Sequence, residues 1–144
     1  MERRDHLIKQ FEALGEALST LLSKVSLFKE REASDIEIAE INDLMKSEVG
    51  LDLHEIASLS DEAFLTNLLE KKLEASDLSN MVNLLVELAP ITNGRSEDYD
   101  SNQLLTKALF LGNYLATNQK VAFFGNIAPL NEARKLLKQG NKTE

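Results

Sequence analysis

Residues 7 to 28 constrain this chain more than any other stretch. Leu7, Phe11, Leu14, Leu18, Leu21, Val25 and Phe28 recur at alternating steps of four and three residues. That spacing places them on one side of an α-helix about six turns long. A helix with a continuous apolar side must bury it, so the chain is committed from its start to a helical core. In heptad terms Leu7, Leu14, Leu21 and Phe28 fall on d, and Phe11, Leu18 and Val25 on a. A two-stranded coiled coil places charges beside that seam. Here the e positions are Ile8, Gly15 and Leu22, so the apolar face is wide. A wide face suits the core of a multi-helix domain. Gly15 costs a helix interior about 1 kcal/mol relative to Ala; it permits close backbone approach by another helix, and an accidental weak spot is the alternative.

Further helices announce themselves by their caps. Ser34-Asp35-Ile36-Glu37 has capping-box form. Ile38, Ile41, Leu44 or Met45, and Val49 follow at helical spacing, and Gly50 is a natural stop. Asp52-Leu53-His54-Glu55 is a second box, opening a short helical turn. Ser60-Asp61-Glu62 opens another helix through Phe64, Leu65, Leu68 and Leu69. Leu78, Met81, Val82, Leu85 and Leu88 form a stripe that Pro90 is expected to end. Asn93-Gly94 is a turn pair within a polar stretch. Leu104, Leu105, Ala108, Leu111 and Leu115 make the next helix. The last runs from around Phe124 or Asn126 to Lys138, or starts at Pro129 itself, since proline is tolerated only in a first turn. No segment alternates in the manner of a strand. The expectation is a single all-α domain, residues 1–144, of about six helices. Helix 1 spans about 3–28, the others lie near 34–49, 60–73, 76–89, 101–117 and 126–138, and a tail, 140–144, is frayed.

Composition narrows the functional classes. A length of 144 residues suits one domain with a core of its own. There is no cysteine, which excludes disulfides, thiolate metal sites and cysteine nucleophiles. The amphipathic start lacks the apolar run of a secretory signal, and no stretch has the ~18 apolar residues of a membrane span. The expected compartment is the cytoplasm, with no membrane partner. Net charge is −8, and residues 30–100 hold 18 of the 24 acidic side chains but only 5 of the 16 basic ones. An acidic middle argues against nucleic acid, whose binding rests on phosphate neutralisation by Lys and Arg. Arg134, Lys135 and Lys138 form a late basic cluster, suited to a helix C-terminus.

The chemical constellations mostly dissolve on inspection. Asp98-Tyr99-Asp100-Ser101-Asn102 begins like a calcium loop, but the sixth position is Gln103 and the twelfth Leu109 where the loop needs Gly and Glu. A capped, acidic helix start explains the same residues. His6 and His54 are the only histidines and stand far apart in sequence, with no zinc ligand pattern around them. The six glycines are isolated, so there is no phosphate loop, and no serine sits in a nucleophile elbow. The expectation is a protein without catalytic residues, cofactor or metal.

Aromatic residues cluster late. Tyr99, Phe110, Tyr114, Phe123 and Phe124 are five of the eight. Phe110 and Tyr114 lie one turn apart, about 100° from the Leu104–Leu115 stripe. Packing of this helix on two sides accounts for them. The functional reading is an aromatic surface, Lys107, Phe110, Tyr114, Phe123 and Phe124, that receives a protein or peptide.

Residues 76–117 resemble a tetratricopeptide-type helix pair. Glu87-Leu88-Ala89 ends the first helix, Asn93-Gly94 turns, and Lys107-Ala108-Leu109 is like the Lys-Ala-Leu of the second. The layout as a whole, with Arg4-Asp5 near the start and Gly50-Leu51-Asp52 mid-chain, looks like an uncharacterised bacterial family of small helical proteins. The resemblance implies an antiparallel helix pair and protein–protein binding, and brings no activity. The leading expectation is a non-catalytic interaction module, with self-association into a homodimer as a further expectation. The alternative is a small-molecule-binding protein or enzyme with a pocket between helices.

Overall fold

The computed structural model describes the backbone of residues 2–29, 32–71, 73–92, 100–118 and 124–142, and their side chains apart from 2–13, 29, 118, 124–127 and 138–142. Seven α-helices occur among these residues: α1 (Glu2–Ser26), α2 (Asp35–Leu44), α3 (Leu53–Ser58), α4 (Asp61–Glu70), α5 (Ala75–Thr92), α6 (Ser101–Asn118) and α7 (Phe124–Lys142). No strand occurs among them. A 3₁₀ turn, Leu27–Lys29, closes α1, and a π-helical turn, Met45–Val49, extends α2. The all-α domain read from periodicity is the fold observed. The seventh helix is α3, read from sequence as a single turn.

The stripe of α1 does what its spacing requires. Leu14, Leu18, Leu21 and Val25 are buried, and Phe28 is half-buried against the core. Leu7 and Phe11 lie outside the described side chains. The stripe packs along α5, the central helix, which also contacts α6 and α7; α6 in turn touches α3 and α4. Ten residues of α5 are buried, including Leu78, Met81, Leu84, Leu85 and Leu88. Burial that wide means the helix is covered on several sides, as its high apolar content demands.

Two small residues set the close crossings. A β-carbon at Gly15 would lie 2.7 Å from Asp77 Oδ1, so α5's first turn rests on α1 where the side chain is missing. A β-carbon at Gly112 would meet both methyls of Leu130 at 2.9 Å, which fixes α7 against α6. The caps hold as well. Ser34 with Glu37 and Asp52 with Glu55 make reciprocal capping boxes, and Ser60 Oγ accepts from the Ala63 N–H at 3.1 Å. Gly50 adopts φ 91°, the left-handed conformation that lets the chain leave the π turn.

The prolines depart from expectation. α5 runs two residues past Pro90, to Thr92, and α7 starts at Phe124, so Pro129 is its sixth residue. Proline removes one helical hydrogen bond but leaves those on either side. At the end of α5 the Thr92 hydroxyl donates to the Leu88 carbonyl at 2.9 Å, which supports the extra turn. The frayed tail expected at 140–144 is helical as far as Lys142. The Asn93-Gly94 turn lies outside the described residues.

Candidate functional site

The crossing of α1, α5 and α7 leaves a groove of about 770 Å³. Its first wall is the end of the α1 stripe, Val25 and Phe28, continued by Glu32 and Ala33 of the linker to α2. The second is the last two turns of α5, with Val86, Glu87, Pro90 and Ile91. The third is α7, with Ala128, Pro129 and Glu132. Both prolines of the chain therefore stand in the same groove.

The local sequence explains this placement. The stripe of α1 carries Val25 into the core, and the 3₁₀ turn then swings the chain away, which leaves Phe28 only half-covered. Pro90 has no N–H, so the Val86 carbonyl receives no α-helical hydrogen bond from that position. Pro129 does the same to the Gly125 carbonyl in α7. Ser26 Oγ donates to Glu87 Oε2 at 3.0 Å and ties the end of α1 to α5 beside the groove.

The chemistry of the lining is uneven. Eight of the eleven lining residues are apolar or proline, and the other three are Glu32, Glu87 and Glu132. Such a surface can hold apolar matter and accept hydrogen bonds from donors. It presents no histidine, hydroxyl or amine among the described residues to act as nucleophile or base. Leu27 and Ile36, 63% and 72% exposed, are close in sequence to the lining positions Phe28 and Ala33.

The residues expected from sequence to bind a partner are distributed differently. Lys107 is buried, its side chain 7% exposed, and its Nζ lies 2.9 Å from Asp61 Oδ1. Its charge joins α6 to α4 and does not face outward. Phe110 and Tyr114 are half-buried on α6, and Tyr114 packs against the core. Phe123 lies outside the described residues. Phe124 opens α7, and its side chain lies outside them too. The five residues are therefore not assembled into one described surface.

The other motifs resolve into structure. Asp100 Oδ1 accepts from the Asn102 N–H at 2.9 Å, and Gln103 Oε1 accepts from the Asp100 N–H at 2.9 Å. The Gln that breaks the calcium pattern thus completes a cap of α6. Asp98 and Tyr99 lie outside the described residues. His54 is exposed in the first turn of α3, and the His6 side chain is outside the description. Arg134 Nη1 donates to Asn131 Oδ1 at 3.1 Å on the exposed side of α7. Among the described residues no group of three His, Asp or Glu is placed to hold a metal ion.

One surface pair has shifted titration. Lys46 Nζ lies 2.5 Å from Glu55 Oε1, joining the π turn to α3. The hydrogen bond from Lys46 holds the Glu55 carboxyl below its ordinary range, helped by the Asp52 backbone N–H. The same bond raises the Lys46 amine. Both groups are on the surface, and their part is to clip α3 to α2.

No protein-family model, curated protein or solved structure matches this chain. None of the described helices is long and apolar enough to cross a membrane.

The sequence raises a pocket between helices only as an alternative and marks none of the residues that line this groove. Its residues come from three regions, 25–33, 86–91 and 128–132, and none forms a local motif. One signal was present. Both prolines interrupt helical patterns, and each is flanked by apolar residues and a nearby Glu.

Proposed function

We propose that this chain is a non-catalytic protein-interaction module and that the groove between α1, α5 and α7 is its binding surface. The observation that carries the reading is the groove itself: an apolar recess whose polar lining side chains, among the described residues, are carboxylates. Apolar recesses rimmed by polar residues are a common form of partner surface. The tetratricopeptide resemblance of residues 76–117 agrees in kind, and the stretch forms the contacting pair α5 and α6. A cytoplasmic role fits a chain without cysteine.

The test uses Ala128→Trp, which places a large ring in the groove from an exposed position. Wild type and variant, shown to melt alike, are used side by side to capture proteins from lysate of the source cells. The expected result is at least one protein recovered about tenfold less by the variant. Equal recovery of every captured protein removes the groove from this role.

A second reading has its own observation. A volume of about 770 Å³ lies within the range of small-molecule pockets, roughly 300–1,000 Å³, and pockets between helices are a common place for them. Native mass spectrometry of the chain purified from its source distinguishes the two. A retained small molecule that Ala128→Trp displaces favours the pocket; an unmodified mass at full folding favours the module.

A further inference from the structure

The last helix is held differently from the others. Ser26 ties α1 to Glu87 of α5, and Lys107 ties α6 to Asp61 of α4. The described side chains of α7, residues 128–137, make no hydrogen bond or ion pair to another helix; Arg134 and Asn131 bond within α7. Of these side chains Ala133 is buried, and Leu130, Leu136 and Leu137 are half-buried against the core. The seat on α6 is defined by shape: Gly112 leaves the space that the methyls of Leu130 fill.

Charge sets α7 apart as well. Of the chain's 24 acidic and 16 basic side chains, α7 holds one, Glu132, and four, Arg134, Lys135, Lys138 and Lys142. A cationic helix therefore lies on a strongly anionic body.

A helix held by apolar contact and shape is satisfied as well by the body of an identical chain as by its own. Exchange breaks and remakes the same contacts, so concentration decides between a closed monomer and an exchanged dimer. Two closed monomers, each at net charge −8, repel one another. A released cationic helix is instead drawn to the anionic body of either copy.

We infer that this chain self-associates by exchanging α7, with Leu130 seated at the partner's Gly112. Each groove is then built from two chains, with Val25, Phe28 and Val86 from one copy and Pro129 of the partner subunit completing it. The inference does not depend on what the groove binds.

The test uses the absence of cysteine from the chain. Gly112→Cys and Leu130→Cys are made as separate single variants, and each is shown by circular dichroism and melting to fold. They are mixed at about 500 μM, where mass action favours association, incubated below melting and then oxidised. In an exchanged dimer the two cysteines meet at one seat, whereas in either variant alone each cysteine faces a residue without a thiol. The mixture is expected to give about tenfold or more covalent dimer than either variant alone at the same total concentration. Equal cross-linking in all three samples, or none in the mixture, overturns the inference.

Two further measurements need no cysteine. Wild type is expected to pass from monomer to dimer in sedimentation between about 1 μM and about 500 μM; a monomer throughout overturns the inference. Five residues separate α6 from α7. Deleting residues 120–122 shortens the reach of α7 to its own body and leaves another copy's body accessible, so the dimer should form at about tenfold or more lower concentration. A deletion that leaves the dimerisation of wild type unchanged would place the contact elsewhere and overturn the exchange.

Discussion

The two ends of α5 are built from opposite materials. At its first turn Asp77 sits over Gly15, with Oδ2 accepting from the Glu74 N–H at 3.1 Å. A missing side chain on α1 lets the helices close there, and Leu78 and Ser79 are buried directly behind. At its last turn Pro90 lines a groove together with Pro129 of α7, and Ile91 is half-buried. Glycine at a crossing admits a neighbour's cap; proline rings in both partners bring bulk and take away a backbone donor. One helix thus anchors the core at one end and offers surface at the other. Binding surfaces are commonly held this way, on the exposed end of an element whose other end is fixed.

That contrast can be broken most forcefully by truncating core residues at each end. Leu78→Ala at the closed end removes a side chain with 1% exposure and is expected to cost about 2–5 kcal/mol, read from urea unfolding. Ile91→Ala at the open end should cost less than about half as much, because part of that side chain already faces solvent. Equal losses would mean that the groove end is as tightly built as the anchored end.

The next effect concerns the buried charge between α6 and α4. Lys107 is sealed between α6 and α4, with Asp61, 37% exposed, as its partner. Asp61→Asn leaves the ammonium without an opposite charge and is expected to cost about 1–3 kcal/mol. Lys107→Met removes the charge and keeps the stem, and should change stability by less than about 1 kcal/mol in either direction. If Asp61→Asn is silent in unfolding, the pair carries none of the α4–α6 contact.

A smaller effect isolates the Gly15 crossing. Gly15→Ala gains about 1 kcal/mol of helix propensity but must displace Asp77 from its capping position. Asp77→Ala alone should cost about 1 kcal/mol through loss of the cap. The double variant should be more stable than the sum of the singles by at least about 0.5 kcal/mol, since the clash disappears with the carboxylate. Strict additivity in the cycle would show that the closed end does not depend on this contact.

The smallest effect lies away from both ends and gives a baseline. Glu55 is held below its ordinary 4.5 by Lys46, so the pair's stabilisation is present above about that pH and fades as pH falls through the lowered folded value. At the alkaline side it fades as pH rises through the raised value of Lys46, above 10.5. The melting difference between wild type and Glu55→Gln should therefore shrink toward zero in acid. A difference that persists unchanged there would assign it to the Gln side chain and not to the ion pair.

What the sequence determined by itself is local. The stripe from Leu14 to Val25, the boxes at Ser34–Glu37 and Asp52–Glu55, and the stop at Gly50 were legible because each is settled within one or two turns. The sequence offered Gly15 both as a site of close approach and as a weak spot, and the structure decides for close approach. Only the tertiary structure decided the partner, Asp77, and made the groove. Val25, Val86 and Pro129 belong to separate segments, and no short-range rule brings them together. The same holds for Lys107, a cation that the sequence offered as surface. Its burial follows from Asp61 arriving on another helix, and a charge is buried or exposed according to its partner, which periodicity does not record.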